Sequence, residues 1–331
     1  MNVLVLGATG FIGCNLVRAL LERGDEVRAM VRPSNAARHL DGLAVERVRG
    51  DLDDSDSVSS ACRGMEVVYQ AASYYPTATI PAKHAVSHAL AQTDTLLAAV
   101  RQSGIRRLVF TSTLTTIGFP PVAGRLAAED CPFVTQFAEN PYLMAKAAME
   151  DAVLAGARQG VPAVVVNPTM CLGPYDSKPT SGTQIVMIAK RLMPAYVDGP
   201  INAIDVRDVA MGMIKAAERG RIGERYILGN WNTTHKDLNA LIARVAGVAA
   251  PKFPVPFPVA RYGALFGDWA FRTILRRPAP VPGFFVEALR HMQQYDCSKG
   301  TRELDYPQHP VERAVRDAVA WFRTNGYLGG R

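Results

Sequence analysis

The chain has 331 residues, is 48% hydrophobic and carries a formal net charge of +7, enough length and apolar content to bury a large core in one larger and one smaller lobe. No apolar run reaches the roughly 18 residues of a membrane span, no signal-peptide pattern opens the chain, and its six histidines and five scattered cysteines show no metal-ligand spacing. The reading is therefore of a cytoplasmic protein with no metal site and no disulfide, whose dispersed positive charge biases it toward anionic ligands rather than nucleic acid.

In chain order, the runs Val3–Leu6, Val27–Val31, Ala44–Val48, Val67–Tyr69, Arg107–Ser112 and Ala163–Val166 read as parallel strands, short and rich in β-branched residues. Amphipathic segments lie between them. In the first of these, Ile12, Leu16 and Leu20 recur beside Gly13, Val17 and Leu21, a stripe suited to packing on a sheet. This alternation predicts an α/β fold, a doubly wound parallel sheet of Rossmann type. Beyond about Asn167 the pattern loosens into proline-rich pieces with helices between them, although "INAIDVRDVAMGMIKAAERG" reads as a strand and helix returning to the sheet. The expected division is a cofactor-binding domain of residues 1–170 and 200–230, with a discontinuous substrate lobe of residues 171–199 and 231–331 over the carboxyl ends of the strands.

The first strand runs directly into "GATGFIG". Gly7, Gly10 and Gly13 would let the chain turn tightly, let a phosphate approach the backbone and let helix and strand pack closely. The backbone N–H groups of Thr9, Gly10, Phe11 and Ile12 would then face a pyrophosphate at a helix N-terminus. A glycine triplet alone can also be merely a tight strand–helix turn; its place at the start of a β-α-β pattern favours the dinucleotide. After the second strand, where an acidic residue would hold a ribose 2′-hydroxyl, stands Arg32, which suits a 2′-phosphate and favours NADP over NAD.

Further on, "VFTSTLTTIG" places Thr111, Ser112 and Thr113 at the end of the fifth strand, and "ENPYLMAKAAMED" places Tyr142 four residues before Lys146, on one face of a helix. Strand-end hydroxyls, Tyr-x-x-x-Lys and the glycine loop, in this order, resemble the extended short-chain dehydrogenase/reductase family. The resemblance extends to "GDL" at Gly50–Leu52, to "NPTMCLGP" and to the C-terminal "VERAVRDAVAWFRTNGYL". Within the family, "KPTSGTQIV" and "MPAYVDGPINAIDVRDVA" are most similar to hopanoid-associated sugar epimerases and the related dihydroflavonol-reductase-like branch.

The resemblance implies an NAD(P)-dependent oxidoreductase, expected as a homodimer, in which Tyr142 is the acid–base residue. Lys146 would also hold the nicotinamide ribose, and Thr113, or failing it Ser112, would hydrogen-bond the reacting oxygen. It further implies cofactor contacts from Asp51 and Leu52 near the adenine, and from Ala71, Ala72, Pro168, Thr169 and Met170. The chemistry suits the spacing: bringing a tyrosine from a pKa of about 10 toward neutrality needs ~4 kcal/mol, the order an ammonium ~4–5 Å away supplies at an effective dielectric of ~20. Two positions depart from the family pattern, Gln70 for a common histidine and Ala89 for an asparagine of the proton relay.

For the substrate, "FPVPFPVARYGALFGDWAFRTILRR" offers Phe257, Val259, Tyr262, Leu265, Phe266, Trp269, Phe271 and Ile274, an apolar wall or equally a small-lobe core. Arg261, Arg272, Arg276 and Arg277 would let the same helix rest on anionic headgroups. A hydrophobic ketone or alcohol is the favoured substrate, a nucleotide sugar the alternative, and a non-catalytic cofactor sensor the second alternative.

Overall fold

The computed structural model describes residues 1–34, 37–72, 74, 76, 80–122, 124–133, 140–273 and 293–329. Seven parallel strands form the main sheet: β1 (Asn2–Leu6), β2 (Glu26–Val31), β3 (Val45–Arg49), β4 (Val67–Gln70), β5 (Arg107–Thr111), β6 (Ala163–Pro168) and β10 (Arg225–Leu228). Their order is β10-β6-β5-β4-β1-β2-β3. It reverses between β1 and β4, the switch point at which doubly wound sheets bind their ligands. Register aligns Leu6 with Gln70 and Gln70 with Phe110, so the residues that follow these strand ends emerge side by side.

Helices cover both faces, as the buried apolar strands at the centre of the sheet require. On one face α1 (Phe11–Glu22) packs with α6 (Val206–Arg219), and Leu16, Val17, Leu20, Val209 and Met213 are buried with Val3, Val5 and Tyr69. On the other, α2 (Ser55–Cys62), α3 (Ala82–Gln102) and α4 (Pro141–Arg158) close over Leu4, Leu6, Val68, Leu108 and Phe110. The start of α4 is fixed chemically. The Asn140 carboxamide accepts from the backbone N–H groups of Tyr142 (3.0 Å) and Leu143 (3.2 Å), with Pro141 at the first helical position, a cap of about 1 kcal/mol.

The remaining strands form two small sheets, β11-β9-β7 and β12-β8, from β7 (Met170–Leu172), β8 (Ala195–Tyr196), β9 (Pro200–Asp205), β11 (Trp231–Thr234) and β12 (Phe253–Pro254). Here the sequence reading needs a correction. The strand in "INAIDVRDVAMGMIKAAERG" is β9, which pairs with β7 and β11 rather than with the main sheet; only the helix after it, α6, returns there. The seventh strand of the main sheet is instead β10, beside β6. The small three-stranded sheet shares a core with α5 (Gly182–Ala189), α7 (His235–Ala246) and the helix Val311–Thr324, through Leu172, Ile185, Ile201, Leu238, Val315 and Phe322. All five cysteines are free thiols.

Candidate active site

The glycine loop shows which of its residues the backbone demands. Gly7 has φ +81°, and a Cβ there would lie 2.4 Å from the Ala72 nitrogen; at Gly13 it would lie 2.1 Å from the Gly7 carbonyl oxygen. Both are positions where only glycine lets loop, strand and helix approach. Gly10 is different. It is exposed, its added Cβ would meet nothing nearer than the Gly7 oxygen at 3.2 Å, and it is the N-cap of α1, contributing no side chain to the free N–H groups of the first turn. Thr9 is half-buried, and Phe11 and Ile12 pack half-buried on the core beneath. A glycine-walled helix N-terminus at the switch point fits a dinucleotide pyrophosphate.

Ala71 and Ala72 abut this loop, with the Ala71 N–H donating to the Leu6 carbonyl at 2.9 Å. Asp51 and Leu52 follow β3 on the other side of β1, where Asp51 Oδ1 accepts from the Asp53 N–H at 3.2 Å and Leu52 is buried. Arg32 stands exposed at the end of β2. Beside it the Arg49 guanidinium donates to the Pro33 carbonyl at 3.0 Å. Pro168 ends β6 and Met170 begins β7; between them Thr169 is buried, its hydroxyl donating to Asn202 Oδ1 at 2.8 Å.

Tyr142 and Lys146 lie on α4, one turn apart. Lys146 is only 3% exposed, and among the described residues neither hydrogen bond nor ion pair holds its ammonium. Burial lowers its pKa to about 8, against an opposing pull from the Glu150 carboxylate. Thr113 caps the short helical turn Leu114–Thr116; its Oγ1 accepts from the Thr115 N–H (3.4 Å) and the Thr115 hydroxyl (3.3 Å), which leaves its own O–H to donate. Ser112 is buried against the Thr116 hydroxyl at 3.4 Å, so Thr113 is the better-placed donor of the two. Gln70 is buried at the end of β4 with Oε1 lacking a partner among the described residues, and Ala89 is fully buried in α3.

Beneath this set lies a polar group that the sequence reading missed. Thr116 Oγ1, Asn167 Nδ2 and Arg225 Nη1 all point at the Glu150 carboxylate, at 2.6, 2.7 and 2.6 Å. Its one legible signal was spacing: Glu150 continues the face of Tyr142 and Lys146 by another turn.

The model of the NAD dependent epimerase/dehydratase family matches residues 3–229. The chain belongs to that family. With it goes membership of the extended short-chain dehydrogenases/reductases, and the chain is an NAD(P)-dependent oxidoreductase. It is 36% identical over 329 residues to a Synechocystis protein named as a dihydroflavonol 4-reductase, covering 98% of this chain and 95% of that one. To the sterol demethylase protein B of Methylococcus capsulatus it is 33% identical, covering 99% and 100%. The crystal structure of a nucleoside-diphosphate-sugar epimerase from Pseudomonas aeruginosa superposes with a TM-score of 0.85 at 29% identity, covering 99% of both chains.

Proposed function

We propose that this oxidoreductase is an NADP-dependent ketoreductase or alcohol dehydrogenase acting on a hydrophobic carbonyl or secondary alcohol, terpenoid, steroid-like or aryl. The observation that carries the catalytic part is the buried Lys146 ammonium, without a partner among the described residues and one helical turn from Tyr142. A charge so placed favours the phenolate and lets Tyr142 work as an acid–base group near neutrality. When bound, the reduced nicotinamide supplies hydride to the carbonyl carbon. Tyr142 then gives its phenolic proton to the carbonyl oxygen, which the Thr113 hydroxyl holds, and Lys146 steadies the phenolate left behind. In the oxidative direction Tyr142 takes the proton back.

Gly7, Thr9, Gly10, Phe11, Ile12 and Gly13 would hold the pyrophosphate, Arg32 the 2′-phosphate, Asp51 and Leu52 the adenine, and Ala71, Ala72, Pro168, Thr169 and Met170 the nicotinamide side. Residues 1–170 and 200–230 would form the cofactor domain, and 171–199 and 231–331 the substrate lobe. The apolar-substrate reading is supported by α8 (Phe257–Thr273), where Val259, Tyr262, Leu265, Phe266 and Trp269 are 51–66% exposed; for these five, a role as small-lobe core does not hold. Ile274, Arg276 and Arg277 lie outside the described residues, as does the Arg272 side chain. It also accords with the name of the Methylococcus relative, which refers to sterols.

The second reading, a nucleotide-sugar epimerase, is favoured by the Pseudomonas structure. A cytoplasmic homodimer whose α8 face touches membrane lipid completes the proposal, on family resemblance and on the exposed apolar stripe. The testing experiment is a thermal-shift comparison of NADPH with NADH, followed by turnover on sterol, terpenoid and aryl ketones. Stabilisation by NADPH and its oxidation by at least one of these ketones are expected; stabilisation by UDP- or GDP-sugars with every ketone inert would transfer the proposal to the epimerase.

A further inference from the structure

Glu150 is 1% exposed, lies two turns beyond Tyr142 on the inward face of α4, and sits among groups from three other elements. A buried carboxylate without compensation is costly, yet this one has three donors, one of them a guanidinium. The donors are not a random sample of the fold. Thr116 belongs to the turn that Thr113 caps, Asn167 to the end of β6, and Arg225 to the start of β10. Asn167 is fully buried, and the two hydrogens of its Nδ2 are shared among the Glu150 carboxylate, Thr116 Oγ1 at 2.9 Å and the Thr113 carbonyl at 3.1 Å. Arg225 continues the chain of contacts, donating through Nε to the Glu129 carbonyl (2.8 Å) and through Nη2 to the Cys131 carbonyl (2.9 Å). The Cys131 carbonyl in turn accepts from the Gly118 N–H at 3.2 Å, just beyond the same turn.

We infer that Glu150 is a positioning residue for catalysis: its carboxylate clamps the turn that carries Thr113 to the helix that carries Tyr142 and Lys146. The inference rests on the reading of those three residues as the catalytic set. The clamp is a direct polar link from the turn to the helix, through Thr116 Oγ1 to Glu150; with it, the Thr113 hydroxyl is held in one place relative to the Tyr142 phenol. Misplacement of the order of 1 Å at a reacting group is enough to cost ~100-fold in rate.

The test is a double-mutant cycle on kcat, with Tm and NADPH affinity, the latter followed by cofactor fluorescence, measured on every variant. Glu150→Gln is expected to lower kcat by ~10-fold or more while NADPH affinity stays within ~3-fold. If Glu150 acts through Thr113, the same change in a Thr113→Ala background costs no more than ~3-fold, because the hydroxyl it aims is already gone. Equal losses in the two backgrounds, or no loss of kcat in Glu150→Gln, would overturn the inference and leave Glu150 a stability residue. Should Glu150→Gln fail to fold, Thr116→Val removes a single donor and runs through the same cycle with the same two outcomes. Tyr142→Phe, assayed alongside, separates the two levels: an active Tyr142→Phe sinks the catalytic reading, whereas an inactive one with additive Glu150 losses sinks only the clamp.

Discussion

Lys146 holds a buried cation whose cost to folding is the counterpart of its proposed use in catalysis. Its pKa falls from an ordinary 10.5 to about 8 because burial disfavours the ammonium. In the window between about 8 and 10.5 the unfolded chain therefore binds more protons than the folded one, so this group's contribution to stability improves as pH rises through that range. Below about 8 its full cost is present, on the order of 3 kcal/mol. Lys146→Met is thus expected to raise Tm at pH 7 while abolishing turnover, with the Tm gain shrinking as pH approaches 10.5; calorimetry across pH checks both. If Tyr142 is the acid–base residue proposed, Tyr142→Phe should leave Tm and NADPH affinity intact and lower kcat by ~100-fold or more, since only the proton donor is removed. Arg32→Ala should weaken NADPH binding by ~1.5–3 kcal/mol, the range for charge-assisted hydrogen bonds, and leave NADH nearly unchanged; titration with both cofactors decides. From the sequence, Tyr142, Lys146 and Arg32 stand out as candidates because each sits in a short motif with a fixed offset. Thr116, Asn167 and Arg225 cannot be grouped with Glu150 in that way, because they come from separate elements and only the folded chain makes them neighbours.

At the scale of elements, the glycine loop separates structural demand from ligand demand. Gly13→Ala would put a Cβ 2.1 Å from a backbone carbonyl and should cost the fold. Gly10→Ala meets its nearest atom at 3.2 Å, so it should fold with a small loss of Tm and fail chiefly in NADPH binding, as paired thermal and binding titrations would read. The six strands read from the sequence are all present: in β1, β4, β5 and β6 burial on both faces leaves continuous apolar runs, whereas β3, VERVR at the sheet edge, is largely exposed. β10, Arg225–Leu228, is absent from the strands read in the sequence; it completes the main sheet by pairing with β6. β9 was seen as a strand but given the wrong partner, since period and propensity identify a strand without saying which sheet it joins.

For the whole molecule, the open question is what the described surface is shaped to receive. No helix among the described residues is long and apolar enough to cross a membrane, yet α8 presents five large apolar side chains to solvent. Exposure of that kind supports the proposal of an apolar ligand or surface at this helix. The sequence showed the composition of α8 but could not say which way its side chains face. The central claim, net reduction of an apolar carbonyl, is tested most directly by the stoichiometry of NADPH consumed per substrate converted by the purified enzyme. One NADPH oxidised for each ketone reduced, with UDP- and GDP-sugars neither converted nor protective, is the predicted result. Conversion of a nucleotide sugar with no net change in the cofactor, and no ketone turned over, would contradict it.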